Sequence, residues 1–419
     1  MKIVSVKGRW ILDSRGNPTV EADLLTDKGV FTASVPSGAS TGIHEAVELR
    51  YKEKDFHGKG VLNAIKNIER ISEKIKGMKC DNQEKIDEAM KRFDNTKNKS
   101  RLGANAILAV SIAAAKAGAA SENKSTYKYI SELLKSRKNK IKLPVPFSNI
   151  INGGVHADTG LAIQEFMIAP YKAESFSEGI RIVSEVYQDL KKNLHKYGST
   201  NVGDEGGFAP KFTRVREALD AIQESVEDCG YSDKVGLAID AAASEFYDSK
   251  LQKYKIDDTL KSREEMVDLY SDLAKSYNII SIEDGFDQDD WEGFALLNEE
   301  LGKRIQVIGD DLTVTNTERI STAIKKRAIN TLLLKLNQIG TVSESLEAAR
   351  LCYNNDLKVM ASHRSGETED TFLADFTVGI GCGELKSGAP CRTERTAKYN
   401  RILRIEEELG KKAVYAGWH

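Results

Sequence analysis

Ile279-Ile280-Ser281-Ile282-Glu283-Asp284 is an apolar run closed by two acids, and the pattern returns at Gln306-Val307-Ile308-Gly309-Asp310-Asp311. Short apolar runs of this kind read as strands buried on both faces. Upstream, Val235-Gly236-Leu237-Ala238-Ile239-Asp240 ends in one acid. Downstream, a strand spanning Thr331 to Gln338 carries Lys335, and Lys358 to His363 runs into Arg364. Glu384-Leu385-Lys386 offers a sixth segment of the same type. Helical patterns separate these runs. Capping boxes open them at Ser262-Arg263-Glu264-Glu265 (a helix to Tyr277), Thr315-Asn316-Thr317-Glu318 and Thr341-Val342-Ser343-Glu344. A further helix is expected from about Thr368, and the last, long one stops at Gly410.

Repeated strand–helix units build a parallel sheet, either open or closed into a barrel. The ionisable residues decide between them. Asp240, Glu283 with Asp284, Asp310 with Asp311, Lys335, and His363 with Arg364 all stand near the carboxyl ends of successive strands. A closed (β/α)8 barrel turns every one of these toward a single mouth, whereas an open sheet strings them along a line. The barrel is therefore expected.

The first part of the chain has a different rhythm. Thr19 to Leu25 and Gly29 to Val35 read as a hairpin about the turn Thr26-Asp27-Lys28-Gly29. Helices follow at Val61 to Lys76, at Asn82 to Phe93, and from near Ala104 to before Lys124. This is an α+β unit, expected to occupy residues 1–135, with the barrel on 140–419. The basic segment Ser136-Arg137-Lys138-Asn139-Lys140, followed by Pro144 and Pro146, reads as the linker.

Composition narrows the class. With 61 basic and 63 acidic residues the net charge is −2, which gives no reason to expect a nucleic-acid partner. Five cysteines, Cys80, Cys229, Cys352, Cys382 and Cys391, show no Cys-x-x-Cys pair, so reduced thiols and a cytoplasmic protein are expected. No signal peptide and no membrane span are expected. The Ala-rich run from Gly103 to Ala120 is broken by Asn105, Ser111 and Lys116.

One acid at a strand end is usually the cap of the next helix. Asp240, Glu283 and Asp310 together are three carboxylates aimed at one place, and they repel unless a cation sits among them. Hard oxygen donors suit Mg²⁺. Lys335 beside such a cation should lose affinity for its proton, which would make it a general base. Asn201 to Phe208 packs Asp204 and Glu205 between glycines, and Pro36 to Gly42 reads as a flexible flap in which Ser40 and Thr41 carry oxygens. By spacing alone, each is only a loop. Gly379-Ile380-Gly381-Cys382-Gly383 follows a helix and opens none, so it is no dinucleotide fingerprint. His44-Glu45-Ala46-Val47-Glu48 lacks the second histidine of a metalloprotease helix.

Several longer stretches resemble enolase: Ser14-Arg15-Gly16-Asn17-Pro18-Thr19-Val20-Glu21, Ser37 to Gly42, Gln164-Glu165-Phe166-Met167 and Gly203-Asp204-Glu205-Gly206-Gly207. Lys335-Leu336-Asn337-Gln338-Ile339-Gly340 and Ser362-His363-Arg364-Ser365-Gly366-Glu367 are the strongest, and the likeness runs the length of the chain. The resemblance implies a barrel with an irregular start, two strands and two helices before the regular units, capped by the N-terminal domain. It implies a lyase, phosphopyruvate hydratase, interconverting 2-phosphoglycerate and phosphoenolpyruvate in glycolysis and gluconeogenesis. A Lys or His base beside one or two Mg²⁺ ions is the established pattern of that superfamily. Carried over residue by residue, Asp240, Glu283 and Asp310 hold the tighter Mg²⁺, and Ser40 helps a second that arrives with substrate. Lys335 is the base and Glu205 the acid, with Glu165 beside it and His156 closing over the substrate. Gln164, His363, Arg364, Ser365 and Lys386 bind substrate, Arg364 and Ser365 at its phosphate and Lys386 at its carboxylate. A homo-oligomer, dimer or octamer, is implied as well. Two rivals are a racemase or cycloisomerase of the same superfamily and an adhesive protein without activity. The Arg364–Ser365 pair and the intact set of positions speak against them.

Overall fold

A computed structural model describes residues 1–39, 42–51, 54–136 and 140–418. Ser40 and residues 137–139 of the expected linker lie outside the described residues.

The chain opens with an antiparallel sheet of β1 (Ile3–Leu12), β2 (Pro18–Thr26) and β3 (Gly29–Ser34), with β2 in the centre. The expected hairpin is β2–β3, with Thr26 opposite Gly29. The first strand escaped the sequence reading because Lys7, Gly8 and Arg9 interrupt its apolar alternation. Gly8 has a packing reason: a Cβ there would come within 2.9 Å of Ile68 on the helix that crosses it. Four helices follow, α1 (Leu62–Ile75), α2 (Gln83–Asp94), α3 (Ala104–Ser121) and α4 (Thr126–Leu133), of which α1 and α3 pack on the sheet and α2 and α4 pack on α3. Helix α3 is apolar all round and therefore central. It is long and apolar enough to cross a membrane, yet 83 % of it is buried inside this fold against its neighbours.

The second part begins with β4 (Val145–Asn152), β5 (Glu165–Ala169), α5 (Phe176–Leu194) and α6 (Val215–Asp228), then β6 (Gly236–Asp240). This is the irregular start. Strand β5 runs antiparallel to both β4 and β6. A small sheet unforeseen from the sequence follows, β7 (Tyr247–Asp248), β8 (Lys253–Ile256) and β9 (Thr259–Lys261). Regular units then alternate: α7 (Arg263–Ser276), β10 (Ile279–Glu283), α8 (Trp291–Leu301), β11 (Gln306–Gly309), α9 (Thr317–Lys326) and β12 (Thr331–Leu334). The chain continues through α10 (Leu336–Ile339), α11 (Val342–Asn354), β13 (Lys358–Ser362), α12 (Phe372–Ile380), β14 (Glu384–Lys386) and α13 (Thr393–Leu409). Eight strands close a barrel in the order β10-β11-β12-β13-β14-β4-β5-β6.

Strand alternation positions the site. Val145, Phe147, Met167, Ala238, Ile308, Leu333 and Met360 form one apolar cluster in the barrel interior. Their strand neighbours Leu237, Ile239, Leu332, Leu334, Val359 and Ala361 pack outward in the clusters shared with the helices. A side chain two positions along a strand returns to the same face. Ala238 is thus followed inside by Asp240, Ile308 by Asp310, and Leu333 by Lys335. On the antiparallel β5, Met167 is preceded inside by Glu165. A register shift between Ile279 and Ser281 accompanies Ile280 pointing inward and Glu283 reaching the mouth.

Three boundaries differ from expectation. The strand read as Thr331 to Gln338 ends at Leu334; Lys335 is extended, and the short α10 follows, closed by Gly340 at φ 94°. The box read at Thr315 is displaced by one residue. Asn316 caps α9, accepting from the Glu318 and Arg319 amides, while Thr315 donates to Gln338 and accepts from the Lys335 amide. The helix expected from Thr368 starts at Phe372, whose amide is held by Asp370 at 2.8 Å. The box at Ser262 forms as read; at Thr341 only half of it does, the hydroxyl accepting the Glu344 amide while it donates to the Glu344 carboxylate.

The Ser262 box satisfies two helix-end groups, and Ser262 does not line the cavity described below. Ser262→Ala is expected to lower stability by about 1 kcal/mol, read as a fall in Tm, with turnover unchanged.

Candidate active site

One cavity opens at the carboxyl ends of the barrel strands. His156, Gln164, Glu165, Glu205, Asp240, Asp310, Lys335, His363, Arg364, Ser365 and Lys386 all line it, together with Asp284 and Asp311. The structure therefore gathers twelve of the thirteen residues singled out from the sequence. Eleven line the cavity directly, and Glu283 adjoins it through Lys386. Ser40 is the thirteenth, outside the described residues.

The acids are buried and held by two lysines. Lys386 Nζ donates to Asp240 Oδ2 at 2.8 Å and to Glu283 Oε1 and Oε2 at 2.8 and 2.9 Å, and it stands 3.2 Å from Glu165 Oε2. Lys335 Nζ contacts Asp310 Oδ2, and Gln338 Nε2 donates to Asp310 Oδ1 at 2.7 Å. Asp284 is not a helix cap. It sits at φ 42°, and its carboxylate accepts the amides of Asp310 at 2.9 Å and Asp311 at 2.8 Å, which fixes the end of β11. Such left-handed backbone at a non-glycine is a strained arrangement typical of functional sites.

The charges respond to this crowding. Burial drives Glu283 and Asp284 well above the usual carboxylate range, and neighbouring acids push the same way. Burial and Asp310 raise Asp311 to about 8. Burial also opposes the charge on Asp240, but Lys386 outweighs it and holds this acid low. At Lys335 the neighbouring acid governs. Burial disfavours its ammonium, yet the contact with Asp310 dominates and raises its pKa. Lys386 is raised well above its ordinary value against the same opposition, by Asp240, Glu165 and Glu283. Two ammonium groups thus face more carboxylate than they can neutralise.

That imbalance, with hard oxygen donors on every side, fits a divalent cation. Among the described residues, Asp284, Asp310 and Asp311 bring ligand oxygens within 4.8 Å of one another, as do the ligand atoms of His156, Glu165 and Glu205. Asp240 and Glu283 adjoin the first group but wrap Lys386 instead.

Across the cavity lies a second set. His156 Nδ1 stands 3.6 Å from Glu165 Oε1 and 3.8 Å from Glu205 Oε1. His363 Nε2 faces Glu205 Oε2 at 3.3 Å, and Asn149 Nδ2 donates to that oxygen at 3.1 Å. Glu165 and Glu205 titrate as a pair. Burial raises both. Glu205 is nevertheless drawn well below the usual range by His363, His156 and Arg395, while its charge lifts Glu165 well above it. The raised carboxyl of the pair is therefore Glu165 and not Glu205, the residue carried over as the acid.

Arg364 grips a carboxylate of its own chain. Its Nη1 donates to Glu45 Oε2 at 3.0 Å and to Asn337 Oδ1 at 2.9 Å, and its Nη2 donates to Glu45 Oε1 at 3.1 Å. Such a forked contact accepts carboxylate or phosphate alike. Sequence reasoning passed over Glu45, Asn149, Gln338 and Arg395. Glu45 was weighed only as part of a failed metalloprotease motif, although it lies three residues beyond the flap glycine Gly42, whose amide it accepts at 3.1 Å. His57 and His195 are exposed and stand outside the site.

A closed barrel with a buried acid–base cavity at its strand ends, covered by an α+β domain, defines a barrel enzyme that moves protons on an anionic substrate. The family description "Enolase, N-terminal domain" matches residues 3–130, and "Enolase, C-terminal TIM barrel domain" matches residues 140–419. An enolase of Corynebacterium kroppenstedtii is 50 % identical over 421 residues, covering 99 % of this chain and 97 % of that protein. The chain belongs to the enolase family, whose members are lyases.

The carboxyl pair makes a spectroscopic prediction. At pH 7 the wild-type chain should show a protonated-carboxyl band in the infrared that Glu165→Gln removes, because the raised member of the pair holds the proton. A difference spectrum without that band would contradict the assignment.

Proposed function

We propose that this mouth carries out the enolase reaction, the reversible Mg²⁺-dependent dehydration of 2-phosphoglycerate to phosphoenolpyruvate, with Lys335 as base and Glu205 as acid. The observation that carries it is the single cavity lined by Glu165, Glu205, Asp310, Lys335, Arg364 and Lys386. A weakly acidic C–H beside a carboxylate and a poor leaving hydroxide require a base, an acid and strong positive charge within one substrate length.

Each residue has a role that its surroundings support. Lys335 takes the C2 proton once Asp310 no longer claims its ammonium. Glu205 delivers a proton to the departing C3 hydroxyl, drawing on the proton that Glu165 shares with it. His156, beside both, covers the substrate, and Gln164 adds an amide. Arg364 and Ser365 bind the phosphate, with Arg364 exchanging the fork it makes to Glu45. Lys386 faces the substrate carboxylate, and His363 supports the acid end. Asp240, Glu283 and Asp310 would hold the first Mg²⁺, and Ser40 would contribute to a second that accompanies the substrate. When bound, the ions supply positive charge against the charge that develops on the substrate carboxylate.

We assign residues 1–135 and 140–419 as the two domains. We also propose a cytoplasmic homo-oligomer, dimer or octamer; five unpaired cysteines and the family resemblance support this.

Lys335→Ala should lower kcat by at least about 10²- to 10⁴-fold, the range for loss of a general base, while Mg²⁺ binding is retained. Unchanged turnover would refute the base assignment. Mg²⁺ at about a hundred times its Kd should stabilise the wild-type chain by about 2.7 kcal/mol. Asp240→Asn with Glu283→Gln should abolish that gain in Tm; a gain unaffected by the double substitution would place the ion elsewhere.

A further inference from the structure

Arg395 is fully buried in α13, and the site roles above leave it without one. Its Nη1 lies 2.6 Å from His363 Nδ1. The rest of the guanidinium is spread over backbone carbonyls: those of Arg364 and Ser365, directly after His363, and that of Asp204, directly before Glu205, at 3.1 Å. Glu394 Oε1 stands 3.4 Å from its Nε and offsets the buried charge. One planar group therefore ties the end of β13 to the loop that carries Glu205.

The contact with Nδ1 has a chemical consequence. A guanidinium carries five N–H donors and no acceptor. A ring nitrogen 2.6 Å from it must present its lone pair, since a proton there would set N–H against N–H. The imidazole proton is thereby confined to the other nitrogen. We propose that Arg395 is a positioning residue for the acid end of the site, holding His363 as the Nε2–H tautomer so that this N–H faces Glu205 Oε2. The inference rests on the assignment of Glu205 as the acid.

The tautomer also sorts the two oxygens of Glu205. Oε2 already receives Asn149 Nδ2 at 3.1 Å, and His363 Nε2 faces it from 3.3 Å. A carboxyl proton cannot sit on an oxygen crowded by two donors. It is left to Oε1, the oxygen facing His156 and the Glu165 pair. With the other tautomer, a bare Nε2 would invite the proton of Glu205 onto Oε2, away from that pair. Arg395 thus determines from which oxygen the acid acts, without touching substrate itself.

The test is ¹⁵N NMR of histidine-labelled protein, with the His363 resonance assigned by its disappearance in His363→Gln. The expected wild-type signature is a bare Nδ1 and a protonated Nε2. In Arg395→Met the ring should become a mixture of tautomers, and kcat should fall about 10- to 100-fold, the usual effect of losing a group that orients another, with KM nearly constant. Arg395→Lys, which returns an N–H donor, should recover part of kcat and the Nε2–H signature. A protonated Nδ1 in the wild-type chain overturns the proposal alone, whether or not the variants fold. An Nε2–H ring that persists unchanged in Arg395→Met overturns it as well. Full activity in Glu205→Gln would instead remove the acid assignment, and this proposal with it.

Discussion

Lys386 Nζ is shared by Asp240, Glu283 and Glu165 at the centre of the barrel mouth, and the arrangement of the site follows from that shared charge. Burying one carboxylate is expensive, and burying several in a single cavity is tolerable only when each finds an opposite charge or a proton. This chain uses both solutions. Asp240 and Asp310 are paired with ammonium groups, while Glu165, Glu283 and Asp284 are driven toward the protonated form. A mouth poised in this way binds cations readily and exchanges protons readily, and both properties serve a reaction that builds negative charge on its substrate.

The barrel supplies the geometry through strand periodicity. Asp240, Asp310 and Lys335 each stand two residues beyond an inward apolar residue, so one packing layer of Ala238, Ile308 and Leu333 aims all three. Glu165 reaches the same mouth from the opposite chain direction because β5 is antiparallel. The loops then refine the positions. Asp284 clamps the amides of Asp310 and Asp311, Thr315 and Gln338 fasten the turn after β12, and Arg395 couples the Glu205 loop to His363. The proposed acid end, around Glu165, Glu205 and His363, and the proposed base end, around Asp310 and Lys335, are thereby held on separate elements across the cavity from each other.

Much of this was legible beforehand, for identifiable reasons. Apolar runs ending in charge mark barrel strands, and the Ser262 and Thr341 boxes mark helix starts, because both signals are local. Boundaries slipped where the site itself bends the chain. Lys335 ends its strand early so that α10 can bring Gln338 onto Asp310, and Thr315 leaves its expected capping place to hold the Lys335 amide. Strand β1 was hidden by charges that lie on its exposed face. Glu45 and Arg395 were illegible for a different reason. Their partners, Arg364 and His363, are distant or unpatterned in sequence, and only tertiary folding joins them. The direction of the Glu165–Glu205 pair depended likewise on two imidazoles that no spacing rule connects to it.

The account turns on a division of labour between the base end and the acid end, and isotope exchange at C2 of 2-phosphoglycerate in deuterated water tests it most directly. If Lys335 removes the C2 proton and Glu205 acts only on the leaving hydroxyl, Glu205→Gln will retain C2 exchange while forming almost no phosphoenolpyruvate, and Lys335→Ala will lose both. Continued exchange in Lys335→Ala would contradict the account.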